Sequence, residues 1–284
     1  MSTPTPTSVA TALHHGASRL PAENSYMEAE MILAHSLHVT RSWLHAHPEM
    51  PLNGVQHQHY HENLTQREAG IPLPYLLGRW GFFGQDFNVD ARALIPRPET
   101  ELLVEEAIAI GHRHMTGSRF AVVDVGTGCG IIAVTLALRL TGTRVTATDI
   151  SRAALCLTSE NIRRHGVSAG VHCVQADLLA GLGRFDLICA NLPYISSQEL
   201  NALVVAQHEP CLALNGGYDG LRVVDRLLSC AQHHLQSGAS ILLEIGASQG
   251  NAAMRLASAH LPRAKCCVLP DLAGRDRLLR ISSA

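Results

Sequence analysis

Val122-Val123-Asp124-Val125-Gly126-Thr127-Gly128-Cys129-Gly130 is the stretch whose reading decides the fold. Its first four residues are apolar around one acid and suit a buried strand. Glycines alternating with small residues follow, and Ile131–Leu140 then has the apolar content of a helix. A strand that passes through glycines into a helix is a βα unit, and glycine there lets the backbone turn tightly and come close to a ligand. Alone, the pattern reads equally well as a tight turn. Two features sharpen it. The spacing is Gly-x-Gly-x-Gly, one residue short of the Gly-x-Gly-x-x-Gly of dinucleotide folds, and Asp149 closes the next strand about twenty residues on. A carboxylate there can accept hydrogen bonds from both hydroxyls of a ribose; its other reading is a helix cap before Ser151.

A loop with no pyrophosphate to cradle suits a nucleoside with a short zwitterionic tail, and S-adenosylmethionine fits. Its ribose would meet Asp149, its methionine end would lie over Gly126, Thr127, Gly128, Cys129 and Gly130, and its adenine would pass near Asp177 and Leu178. Asp177 reads equally as structural, and Cys129 reads as a small residue, not a catalytic thiol. Downstream the rhythm repeats. Strands are expected at Arg144–Thr148, Val171–Gln175, Phe185–Ala190 and Ser240–Ile245, and helices at Ala153–His165 and Leu221–Leu235. Repeated βα units imply an α/β fold, a mostly parallel sheet with helices on both faces.

Upstream the pattern changes. Residues 1 to about 16, rich in Ser, Thr, Pro and then His, are expected to be loose. Ser25-Tyr26-Met27-Glu28 suggests a capping box, with further helices around Arg41–His45 and Val55–Glu68. Aromatics alternating with glycines in Tyr75–Val89 suggest a hairpin. The expected division is a helical domain at 1–74, a β-hairpin linker at 75–92 and the α/β domain at 93–284.

Cys189-Ala190-Asn191-Leu192-Pro193-Tyr194-Ile195 ends the fourth strand, where ligands of such sheets bind. The Asn191 side-chain carbonyl and the Leu192 main-chain carbonyl can accept the two hydrogens of an NH2 group. Pro193 biases Leu192 away from helical angles, and Tyr194 offers a flat face for stacking. Such a pocket selects a planar group bearing NH2: an adenine, a cytosine or a carboxamide. Two acceptors on an amide nitrogen raise its electron density, and positioning aims it at a sulfonium methyl for direct displacement. Asn191, Leu192, Pro193 and Tyr194 are therefore the candidate catalytic residues, with Asn191 also beside the cofactor.

With these motifs the chain resembles class I S-adenosylmethionine methyltransferases, which have a Rossmann-like sheet. Leu94–Val104 (LIPRPETELLV), Glu209–Leu214, Gly216–Leu221, Leu242–Gly246 and Asp271–Arg277 are similar to signatures of the PrmC/HemK release-factor glutamine methyltransferases, as is Ser42–Pro48. The resemblance runs from about Ser25 to the C-terminus. It implies a substrate, the Gly-Gly-Gln glutamine of class 1 peptide-chain release factors methylated at N5, with S-adenosylhomocysteine as the other product. It also implies that the N-terminal helices and hairpin help dock that protein. The family usually has Asn-Pro-Pro-Tyr where this chain has Leu192, and some members have Trp at the position of Leu178. The role assigned to residue 192 needs only its carbonyl. Arg97 and Glu99 read as an ion pair, and Glu209 either lines the glutamine pocket or holds the Asn191 loop.

Composition narrows the rivals. A net charge of −2 and a single lysine, Lys265, argue against a broad nucleic-acid footprint, and so against an rRNA adenine N6-methyltransferase, which shares Asn-Leu-Pro-Tyr. Glutamine methylation of a ribosomal protein is the nearer alternative. Eight cysteines without a Cys-x-x-Cys, no secretory signal and no long apolar run point to a cytoplasmic protein, expected to be a monomer. His57, His59 and His61 alternate, but in a helical stretch they would splay apart, so no metal is expected.

Overall fold

The computed structural model describes residues 7–21, 23–114, 120–200, 202 and 207–283. Two compact units divide between Arg79 and Trp80. The first holds α1 (Val9–Arg19), α2 (Ser25–Leu37), α3 (Arg41–Ala46), α4 (Gly54–Glu68) and α5 (Leu73–Leu77). Its core is built from Val9, Leu13, Leu33, Leu44, Tyr60 and Leu64, buried where helix periodicity turns them inward. Two expectations change here. Residues 1–6 lie outside the described residues, but α1 already starts at Val9, capped by the Ser8 side chain on Thr11 N. Ser25 is not an N-cap: Asn24 holds that position in the left-handed region and makes no side-chain cap. The capping box sits on α4 instead, where Asn53 and Gln56 bond each other's backbone N–H. On α4, His57 and His61 lie one turn apart and His59 points away, so the three do not converge.

The boundary falls within the hairpin β1 (Arg79–Phe82) and β2 (Gln85–Asn88), which is shorter than the expected linker, whose start is helical in α5. Then come α6 (Thr100–His114), β3 (Ala121–Val125), α7 (Ile131–Arg139), β4 (Arg144–Asp149), α8 (Arg152–Arg164), β5 (Val171–Gln175) and β6 (Phe185–Ala190). The short β7 (Ile195–Ser196), α9 (Ser197–Leu200), α10 (Cys211–Leu214) and β8 (Asn215–Gly217) follow. The chain closes with α11 (Arg222–Ala231), a 3-10 turn at Gln232–His234, β9 (Leu235–Glu244), α12 (Gly250–His260), β10 (Lys265–Pro270) and β11 (Asp276–Ser282). The helix after Leu221 thus ends before the expected Leu235, and the last parallel strand starts at Leu235, ahead of Ser240.

Among the described residues, a seven-stranded sheet has the order β10-β11-β9-β6-β3-β4-β5, parallel except for the antiparallel β11. Val123, Val125, Ile188, Ala190, Ile241 and Leu243 face α11 and α12 in one core layer. The alternate residues of these strands face the layer of α6 and α7, which is why Asp124 meets the N-terminal turn of α7. From β3 the chain runs outward through β4 and β5, then returns to place β6 on the other side of β3. That reversal opens a crevice at the carboxyl ends of β3 and β6.

Asn161 of α8, fully buried, ties three pieces together. Its Oδ1 accepts from Asn88 N at 2.8 Å, and its Nδ2 donates to Asn88 O at 3.0 Å and to Cys129 O at 2.8 Å. Asn161→Ala removes all three bonds and strands buried backbone groups; urea denaturation should show a loss of about 2–4 kcal/mol.

Candidate active site

The crevice holds a cavity of about 240 Å³. Gly126, Thr127, Gly128 and Cys129 line it from the loop after β3, Asp149 from the end of β4, Asp177 and Leu178 from the loop after β5, and Asn191, Leu192 and Pro193 from the loop after β6. Two expected site residues are not part of this lining, Gly130 and Tyr194. Gly130 is the left-handed N-cap of α7, where a Cβ would come within 2.8 Å of the Thr158 methyl group, so glycine serves packing there. Tyr194 lies one residue past the lining. Burial, reinforced by the nearby Glu244 carboxylate, pushes its phenol upward.

The glycine loop is held by acids. Asp124, fully buried, accepts from Thr127 Oγ1 at 2.6 Å and from Ala133 N at 3.2 Å through Oδ2, while Oδ1 has no partner among the described residues. Burial raises its carboxyl to about 7. Asp149 accepts from Gly128 N at 3.0 Å and from Ser151 N at 2.8 Å. The helix cap itself is Ser151, whose hydroxyl accepts from Ala154 N, so Asp149 does more than end a strand. Burial raises Asp149 as well. Cys129 is buried and its thiol is pushed up to about 12, which leaves it protonated and inert.

The loop after β6 is clamped by other elements, among them Gln249, which no motif announced. Gln249 Nε2 donates to Tyr194 O at 2.9 Å, and Gln249 Oε1 accepts from Gly246 N at 2.8 Å. A Cβ on Gly220 would lie 2.2 Å from Tyr194 O, and one on Gly216 2.6 Å from Pro193 O, so Gly216–Leu221 packs main chain against main chain. Asn191 Nδ2 donates to Thr100 Oγ1 at 3.0 Å, and Thr100 Oγ1 donates to Glu244 Oε2 at 2.7 Å. Leu192 is buried and packs its side chain over Gly126.

Two electrostatic expectations are corrected. Arg97 pairs with Glu209, not with Glu99, because the Glu209 side chain is buried beneath the loop and needs a cation and a donor. Glu209 also accepts from Ile95 N at 3.1 Å, so it holds the segment at 95–97 and neither the Asn191 loop nor the cavity wall. Asp177 is paired with Arg226 at 2.7 Å, and Arg92 with Asp90 and Glu160, so most cavity arginines are already neutralised. Among the described residues no cluster of three or more His, Cys, Asp or Glu could hold a metal ion, and no helix is long and apolar enough to cross a membrane.

A switch-point cavity flanked by a glycine loop and an Asn-Leu-Pro-Tyr turn, on a sheet with an antiparallel strand near its edge, belongs to the class I, Rossmann-like methyltransferases. Solved structures carry the same fold. A methyltransferase from Pyrococcus furiosus matches with a TM-score of 0.52 at 18% identity, covering 72% of this chain and 91% of that one. The catalytic domain of human Mettl16 matches at 0.54 and 17%, covering 71% and 76%. Family models for the PrmC N-terminal domain and the methyltransferase small domain match residues 11–78 and 100–216. The release factor glutamine methyltransferase of Moorella thermoacetica is 41% identical over 272 residues, 94% of this chain and 95% of its own length. That of Cereibacter sphaeroides is 39% identical over 277 residues, 95% and 96%. The chain belongs to the release factor glutamine methyltransferase family.

The burial of Asp124 has a signature in solution. Its folded carboxyl holds a proton up to about 7, while the unfolded one lets go near 4, so the buried group favours the fold below about 4 and opposes it increasingly up to about 7. In ligand-free protein, the melting temperature of Asp124→Asn relative to the parent should therefore rise between pH 5 and pH 8.

Proposed function

We propose that this methyltransferase transfers a methyl group from S-adenosylmethionine to N5 of the glutamine in the Gly-Gly-Gln loop of class 1 peptide-chain release factors, with S-adenosylhomocysteine and a proton as the other products. The observation that carries the reading is the meeting of Asn191, Leu192 and Pro193 with the glycine loop and Asp149 in one cavity. Relatives named for release factor glutamine methylation, similar over nearly the whole chain, support the substrate. The match to the PrmC N-terminal domain model supports docking of the protein substrate by the domain at 1–74.

The cavity residues fit the cofactor. Gly126 and Gly128 put no side chain between the loop backbone and the cavity, Asp149 brings a carboxylate to its wall, and the paired arginines leave little free charge for a polyphosphate. In this reading Gly126, Thr127, Gly128 and Cys129 bind the methionine end, Asp149 the ribose, and Asp177 and Leu178 flank the adenine. Gly130 supports that loop from behind. When bound, S-adenosylmethionine supplies an electrophilic methyl group on a sulfonium.

The chain's own work is on the amide. Asn191 Oδ1 and the Leu192 carbonyl accept hydrogen bonds from the two N–H groups and orient the nitrogen lone pair, while Tyr194, one residue past the cavity lining, would stack on the carboxamide plane from its edge. Leu192 and Pro193 exclude water, and water kept out strengthens both hydrogen bonds.

Three measurements test this. Incubation with labelled methyl donor, release factor and naked rRNA side by side should put label on the release factor glutamine; label on RNA alone, or on a ribosomal protein in preference, overturns the substrate. Asn191→Ala should lower turnover on the order of 100-fold or more while cofactor affinity stays close to the parent's; equal turnover refutes its role. Asp149→Ala should weaken S-adenosylhomocysteine binding by about tenfold or more in calorimetry, the worth of charge-assisted hydrogen bonds.

A further inference from the structure

An asparagine amide has two chemically opposite ends. Oδ1 accepts hydrogen bonds and Nδ2 donates them, and the ends exchange places by half a turn about one bond. The role given to Asn191 requires oxygen to face the methyl acceptor. Turned over, the side chain would present N–H to N–H. The residues behind Asn191 decide which end points where.

Asn191 Nδ2 donates to Thr100 Oγ1 at 3.0 Å, and Thr100 Oγ1 donates to Glu244 Oε2 at 2.7 Å. A threonine hydroxyl has a single proton. Once that proton goes to a carboxylate, which only accepts, the hydroxyl has nothing but lone pairs left for Asn191, and only the NH2 end can face it. Thr100 is 0% exposed and Glu244 1%, so water does not compete at either. The pieces come from three separate elements: Thr100 is the first residue of α6, Asn191 follows β6 and Glu244 ends β9. We propose that Thr100 and Glu244 are positioning residues that lock the Asn191 amide with its oxygen toward the methyl acceptor, an inference that rests on the role of Asn191 argued above.

The direction of the relay depends on Glu244 being ionised. Protonated, it can donate to Thr100 Oγ1, which then offers its proton to Asn191 Oδ1 and turns the amide over. Arg277 on β11 and Arg97 before α6 favour the carboxylate, Glu99 opposes it, and Tyr194 lies close enough to feel its charge. Burial outweighs them all and raises Glu244 to about 7. Its other oxygen, Oε1, is buried without a partner among the described residues, so nothing but Thr100 and nearby charge holds the ionised form.

The test compares four full-length variants for kcat, for KM toward the release factor, and for S-adenosylhomocysteine affinity by calorimetry. Thr100→Val keeps the shape and loses the hydroxyl; kcat should fall about tenfold to 100-fold, with KM and cofactor affinity within about twofold of the parent. Thr100→Ser restores the hydroxyl and should recover kcat to within about threefold. Glu244→Gln no longer ionises; its kcat should be lower at pH 8, and its decline toward pH 6 should be shallower than the parent's. Should Thr100→Val fail to fold, the serine and glutamine variants carry the test. Wild-type kcat in Thr100→Val beside an inactive Asn191→Ala overturns the relay. So does a parallel loss of cofactor affinity, a serine variant without rescue, or an unchanged acid limb in Glu244→Gln. Wild-type turnover by Asn191→Ala instead refutes the role of Asn191 itself.

Discussion

The register of three neighbouring strands sets everything at the site. Val125 of β3 lies opposite Ala190 of β6, and Ala190 lies opposite Leu243 of β9. One residue further along each strand come Gly126, Asn191 and Glu244, so a single row across the sheet delivers the loop glycine, the amide and the acid. Parallel strands buried on both faces cannot slip by one residue without turning every core side chain to the wrong layer. Hydrophobic burial far from the chemistry therefore fixes the chemistry's geometry.

That row also explains why the site is rich in tethers. Loops at strand ends carry backbone groups that no ladder satisfies, and near a buried crevice each needs another partner. Asp149 takes Gly128 N and Ser151 N, Gln249 takes Tyr194 O and Gly246 N, and Glu209 takes Ile95 N. Most of these side chains come from a different element than the loop they hold. These tethers hold the loops by more than their own backbone, which suits an enzyme that works by orientation.

The parts of this design legible in the sequence are those with local patterns. Val122–Gly130 announces a strand, turn and helix because apolar residues and glycines change over within nine positions. Asn191-Leu192-Pro193 stands out because a turn after a buried strand carries unusual hydrogen-bonding capacity. The relay behind it has no such mark. Thr100 and Glu244 are 144 residues apart, and although each lies in a segment that resembles a family signature, neither segment shows that the two meet. Gly130 differs in kind: its left-handed angle and the closeness of Thr158 call for glycine whether or not a ligand touches it. The Arg97–Glu99 reading failed because adjacency in sequence was taken for partnership, while the stronger pull came from a carboxylate buried out of reach of water. The start of α1 was missed because Ser, Thr and Pro dominate the composition just before it.

Leu192 departs from the Asn-Pro-Pro-Tyr that the sequence resemblance implies at this turn. A proline stiffens a turn by limiting the conformations of the unfolded chain, an entropic device indifferent to its neighbours. Leu192 instead packs its side chain over Gly126 and into the core layer, and burial of that size contributes roughly 1.5–3 kcal/mol. Both routes hold one carbonyl in one place, but they differ with temperature. Apolar burial weakens on cooling, whereas a pyrrolidine ring does not loosen in the cold. The acceptor turn of this chain is therefore held by the same temperature-dependent force as the core layer it joins, and its rigidity rises and falls with that layer.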